Sequence, residues 1–129
     1  MTEPAYPVQL ADTAMDDLAA IRSHIAEQRS PEEADRLVDH LLDRMAMLRT
    51  FPLRGGVPNE LDALGVRDYR QLLSRPYRII YHFDDKVVDI LMIADGRRDM
   101  QTLLTHRLLG QRSKIKGATP PFAPRPALG

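Results

Sequence analysis

The segment Val87-Val88-Asp89-Ile90-Leu91-Met92-Ile93-Ala94 constrains this chain most, because seven of its eight side chains are apolar. A strand that leaves one face in water alternates apolar with polar residues, whereas a near-continuous aliphatic run needs cover on both faces. The run at 87 to 94 is therefore expected at the centre of a sheet. The polar triplet Asp84-Asp85-Lys86 precedes it, and before that comes Tyr77-Arg78-Ile79-Ile80-Tyr81-His82-Phe83. Two strand-like runs separated by a short polar turn predict an antiparallel hairpin. In the first, period two places Tyr77, Ile79, Tyr81 and Phe83 on one face and Arg78, Ile80 and His82 on the other. A further strand is expected at 66 to 73, giving a three-stranded meander.

The cover for such a sheet is legible upstream. Ala14, Leu18, Ile21 and Ile25 recur at helical spacing, with Asp12 or Thr13 as N-cap, and predict a helix to about Gln28. Ser30-Pro31-Glu32-Glu33 then supplies a cap, a proline at the first helical position and a Glu three residues after the cap. From there Ala34, Leu37, Val38, Leu41, Leu42, Met45 and Leu48 form an apolar stripe to about Thr50. Glu32, Asp35, Arg36, Asp39 and Arg44 are left to solvent. So short a link makes the two helices an antiparallel hairpin. Residues 6 to 10 read as a short edge strand because of Pro7, and 52 to 65 as a loop rich in Pro and Gly. A last helix is expected from about Asp99 to Leu109, packing through Met100, Leu103, Leu104 and Leu108.

With 129 residues the chain has the length of one domain, and with three Phe, four Tyr and no Trp its core must be mainly aliphatic. The domain is expected over 1–110. Residues 111–129 are rich in Pro and Gly and lack apolar periodicity, which predicts a disordered tail or a segment that orders on a partner through Phe122. The absence of cysteine excludes disulfides, thiolate metal sites and a cysteine nucleophile. No spacing of histidines and carboxylates suggests a metal site, and no cofactor is implied. No basic leader followed by an apolar run, and no membrane-length apolar run, is present, so the cytoplasm is the expected compartment. Residues 1–66 hold twelve acids against six bases and residues 67–129 the reverse, about −6 and +6. That asymmetry fits either two halves that attract one another or two surfaces with different partners.

The order strand, helical hairpin, loop, three antiparallel strands and short helix is an α+β arrangement. Within it, Tyr77-Arg78-Ile79-Ile80-Tyr81 followed by the aliphatic strand and Gly96-Arg97-Arg98-Asp99 closely resembles the C-terminal half of RelE/ParE toxins. The resemblance covers about residues 6 to 109. It implies a toxin of a type II toxin-antitoxin system, neutralised by a protein antitoxin that wraps it with a helix and an extended segment. One branch of that superfamily cleaves ribosome-bound messenger RNA; the ParE branch poisons DNA gyrase by binding.

A ribonuclease needs cations for the charge of the phosphorane-like transition state and groups that move protons. Arg78 and Arg98 match the cations of that branch and would be catalytic under that alternative. The proton-transfer positions do not match, being Tyr69, Gln71 and Leu104, while Asp95 stands where several relatives carry a histidine. The sequence therefore leans toward the ParE branch, with gyrase as expected target; the alternatives are the ribosome and its message, or a non-toxic relative that only binds its antitoxin. Arg70, Tyr77, Arg78, Tyr81, His82, Arg97 and Arg98 are the expected target- or partner-binding residues. Arg75 belongs to the same basic set, whose other reading is solubility and ion pairing with the acidic helices. His24 and His40 read as surface residues, and His106 beside Arg107 as part of a solvated face.

Overall fold

The computed structural model describes residues 5–109. In chain order the elements are β1 (Val8–Leu10), α1 (Asp12–Gln28), α2 (Pro31–Ala46), α3 (Asn59–Asp62), β2 (Arg70–Ser74), β3 (Tyr77–Phe83), β4 (Val88–Asp95) and α4 (Met100–Leu104). A 3₁₀ turn, Met47–Arg49, closes α2, and a π-helical turn, Thr105–Leu109, continues α4. The tail expected to be disordered, 111–129, lies outside the described residues.

The four strands form one sheet in the order β1-β4-β3-β2. β2, β3 and β4 are the expected antiparallel meander, and β1 lies parallel to β4, with Val8 opposite Val88 and Leu10 opposite Ile90. The aliphatic β4 is thus flanked on both sides. Its faces are covered too: Leu41, Met45 and Leu48 pack with Ile79, Tyr81, Val88 and Ile90 under the helical hairpin. Met100, Leu104 and Leu108 pack with Ile80, Leu91 and Met92 on the opposite face.

The aliphatic run has a second cause in a β-bulge. Ile80 pairs with Met92 and Tyr81 with Ile90, so Leu91 is an extra residue in β4 and the alternation slips by one there. Leu91 and Met92 consequently serve the same face. The carbonyl of the extra residue is bonded elsewhere: Leu91 O accepts from Thr13 Oγ1 at 3.2 Å and Arg107 Nη1 at 3.4 Å. Ile93 N–H donates to the Asp17 carboxylate at 3.0 Å, and Asp17 holds Arg107 through both oxygens at 3.0 and 3.1 Å. One acid of α1 thereby joins a helix, the bulge and the C-terminal turn.

Helix boundaries follow local chemistry, with departures from expectation. Ser30 Oγ accepts from Glu33 N–H at 3.1 Å, as the cap predicts. At α1 the N-cap is Ala11 without a side-chain bond; Asp12 lies in the first turn and Thr13 is engaged with Leu91. The expected loop 52 to 65 contains the one-turn α3, and the strand expected from residue 66 begins at Arg70. Arg44, expected in solvent, donates to Leu73 O at 2.9 Å and ties α2 to β2. The α2 stripe is wider than the sheet requires: Leu41 is fully buried, whereas Leu42 is 39% exposed.

Candidate functional site

The arginines and tyrosines singled out in the sequence fall into separate groups, and the first holds a loop. Tyr81 on β3 is fully buried. Its hydroxyl donates to Pro52 O at 2.8 Å and accepts from Gly55 N–H at 2.9 Å, while burial pushes its pKa above the ordinary tyrosine value. Arg70 grips the same loop, donating to Gly55 O at 2.7 Å. The loop comes so close to β2 that a Cβ on Gly55 would collide with the carbonyl of Gln71. Gly56 then bridges to Gln71, covering part of the exposed edge of β2. Neither Tyr81 nor the Arg70 head is thereby free to engage a partner.

Arg78 is committed as well. Its guanidinium pairs with both oxygens of Glu60, on α3, at 2.8 Å each, and its Nε donates to Gln71 Oε1 at 2.7 Å. The bidentate arginine holds the Glu60 carboxyl below its ordinary value. Its stem lies against Gly96, where a Cβ would come within 2.9 Å of Arg78 Cδ. Only 12% of the Arg78 side chain is exposed. To meet a phosphate it would have to give up Glu60, and a carboxylate at that place repels a phosphodiester.

The other positions that matter to ribonuclease chemistry are structural. Leu104 and Tyr69 are fully buried, the Tyr69 ring stands 6.3 Å from that of His82, and Gln71 orients Arg78. His82 shares a sheet face with Arg78 as expected, yet four residues of strand separate them by about 13 Å. Among the described residues no cluster of His, Cys, Asp and Glu could hold a metal ion. His24, His40 and His106 are exposed.

The turn after β4 presents the accessible cations. Arg97 pairs with both oxygens of Asp95 at 2.9 and 2.6 Å, which lowers the Asp95 carboxyl to about 2. Arg98 is exposed, with its backbone N–H bonded to Asp95 O at 3.1 Å. Tyr77, directly opposite Asp95 in the sheet, is only 8% exposed. Arg75, exposed on the β2–β3 turn, adds another guanidinium at this end of the sheet. Arg75 and Arg98, beside an exposed Arg97 that is paired with Asp95, thus form the basic surface at this end of the sheet.

A feature the sequence reading passed over is an apolar groove along the helical hairpin. β1 contributes Val8 and Leu10, α1 contributes Met15, Leu18 and Ala19, and α2 contributes Val38 and Leu42. Met15 and Leu42 are 44% and 39% exposed. The excess width of the α2 stripe was the signal: Val38 and Leu42 lie one residue round the helix from Leu37 and Leu41, beyond the reach of the sheet. Among the described residues no helix is long and apolar enough to cross a membrane.

Comparison with known proteins agrees with this architecture. The family model of the ParE toxin of the type II toxin-antitoxin system parDE matches residues 8–100. A chain of the chromosomal ParDE toxin-antitoxin system from P. aeruginosa superposes with a TM-score of 0.60 at 26% identity, over 70% of this chain and 96% of that one. A chain of the RelBE2 toxin-antitoxin complex from Mycobacterium tuberculosis shares the fold, with a TM-score of 0.53 at 23% identity over 73% of this chain and 94% of that one. No curated protein sequence matches. With the family matched across the sheet, the helical hairpin and the Arg97-Arg98 turn, the chain belongs to the ParE toxins of type II toxin-antitoxin systems.

Proposed function

We propose that this toxin acts in the cytoplasm by binding DNA gyrase rather than by cutting RNA, and that a cognate antitoxin silences it. The observation that carries the first part is the Arg78–Glu60–Gln71 cluster. The arginine that a RelE-type ribonuclease would offer to the transition state is neutralised by a carboxylate, and Tyr69, Gln71 and Leu104 fill the proton-transfer positions. Acid-base catalysis needs a group that can exchange a proton within hydrogen-bond reach of the substrate; a buried leucine offers none. What remains accessible is a binding surface, with Arg97 and Arg98 at the end of the sheet.

The groove formed by Val8, Met15, Leu18, Val38 and Leu42 supports the second part. An exposed apolar strip of this kind suits the apolar face of an amphipathic helix, the helix-in-groove mode of recognition. The neighbour from P. aeruginosa comes from a ParDE toxin-antitoxin system, and the antitoxin of this chain would use the groove in that mode. Adding purified protein to a gyrase supercoiling and cleavage reaction, and separately to ribosomes translating a defined message, tests the target. Inhibited gyrase with an intact message is the expected result; a cut message with normal gyrase would sink the reading.

A further inference from the structure

Where the α1–α2 link overhangs the β2–β3 turn, the surface folds into a cleft of about 780 Å³. Its apolar lining is Ile25 from α1, Leu37 from α2, Pro76 on the β2–β3 turn and Tyr77 from the start of β3. Three guanidinium groups border it, each from a different part of the chain: Arg29 after α1, Arg75 on the β2–β3 turn and Arg97 on the turn after β4. The convergence is electrostatic as well as steric. After burial, the charges that act on the Tyr77 hydroxyl are those of Asp95, Arg97 and Arg29.

The charge balance of the cleft selects its ligand. Arg97 is neutralised by its bidentate contact with Asp95, and Arg29 stands 3.6 Å from Glu33. Arg75 has no ion-pair partner among the described residues. Three cations against two carboxylates leave one positive charge, which is enough for one anionic group. A nucleic-acid strand would bring a second phosphate against Glu33 or Asp95, and neutralising a strand takes one free cation per phosphate. The apolar lining calls for a hydrocarbon side chain beside the anion, and the volume lies in the range of about 300–1,000 Å³ usual for small-ligand pockets. A short stretch of peptide meets all three demands.

We propose that this cleft docks a short segment of a partner protein that carries a single carboxylate next to an apolar side chain. The carboxylate takes the fork of Arg75, for which a planar guanidinium is the fitting geometry, and the apolar side chain lies between Ile25, Leu37 and the Tyr77 ring. The cleft shares Arg75 and Arg97 with the basic sheet end offered to the target, but Arg98 is not part of its lining. Loss of peptide binding in Arg75→Glu and loss of gyrase inhibition in Arg98→Ala are therefore separate outcomes.

The test is fluorescence anisotropy on the full chain with two labelled probes, an amidated alanine-leucine-aspartate-leucine-alanine pentapeptide and a twelve-residue oligothymidylate. Saturable peptide binding is expected, falling at least about tenfold in Arg75→Glu and recovering in part in Arg75→Lys. Replacing aspartate by asparagine in the peptide should produce a loss of the same order. Arg75 is exposed, so its replacement leaves the fold intact, and circular dichroism checks this. Peptide binding indifferent to Arg75→Glu overturns the proposal, as does no saturation at about 1 mM peptide, a weak limit for any specific site. Oligothymidylate binding that exceeds peptide binding and disappears in Arg75→Glu would reassign the cleft to nucleic acid.

Discussion

At the scale of single residues, Tyr81 shows how a group that looks like a contact residue can be spent inside the molecule. Its place on one sheet face was legible from alternation alone. Its role was not, because Pro52 and Gly55 approach from 29 and 26 residues away. Tyr81→Phe should cost about 1–3 kcal/mol in urea unfolding, since it strands a buried N–H and a carbonyl together; an unchanged midpoint would show that water replaces the hydroxyl. Glu60 was overlooked for a similar reason: a polar residue in an expected loop carries no sign of the arginine it will meet. Because Arg78 holds the Glu60 carboxyl below its ordinary 4.5, the pair's contribution is fully present above that pH. It fades as pH falls through the lower folded value. Glu60→Gln should therefore lower stability at neutral pH and make its decline below about pH 4.5 shallower. Urea midpoints across that range give the comparison, and parallel acid limbs for the two proteins would refute it.

At the scale of elements, α1, α2, β3 and β4 could be read from the chain because each carries its own signal in a few consecutive residues. The Ser30 cap is the clearest, and Ser30→Ala should destabilise the protein by about 1 kcal/mol, chiefly through loss of the bond from Glu33 N–H, measured by thermal or urea unfolding. The parallel pairing of β1 and the bulge at Leu91 were hidden because neither is a local property. An aliphatic run reads the same whether it alternates cleanly or slips by one, and only the Ile90 and Met92 partners reveal the slip. The slip has to be compensated, and Asp17, Thr13 and Arg107 do so from two helices. Asp17→Asn and Arg107→Gln should each destabilise, and a double-mutant cycle should give a coupling of about 0.5–3 kcal/mol. Additive effects would mean that the two side chains serve the bulge separately.

For the whole molecule, the structure displays one of the two meanings the sequence left open for the opposite charges of the halves, their mutual attraction. Asp17–Arg107 and Glu60–Arg78 join the halves across 90 and 18 residues, so part of the asymmetry is cohesion. The remainder is left outside as unlike surfaces: an acidic helical hairpin with an apolar groove, and a sheet end carrying Arg75, Arg97 and Arg98. On the proposed function, silencing by one partner and action on another gain from separate surfaces, because each can then be altered alone. Met15 and Leu42 allow that separation to be tested, since both are more than a third exposed and contribute little to the core. Met15→Asp with Leu42→Asp should change folding stability by no more than about 0.5 kcal/mol per site, yet weaken antitoxin binding at least about tenfold by placing charges against an apolar helix face. Arg98→Ala should do the reverse, reducing inhibition of gyrase while leaving antitoxin affinity within about twofold. Calorimetric titration with the antitoxin and supercoiling inhibition on the same two proteins measure both effects. If the groove variant loses gyrase inhibition to the same extent as antitoxin binding, the two partners share the hairpin and the antitoxin silences the toxin by occupying the target's own site.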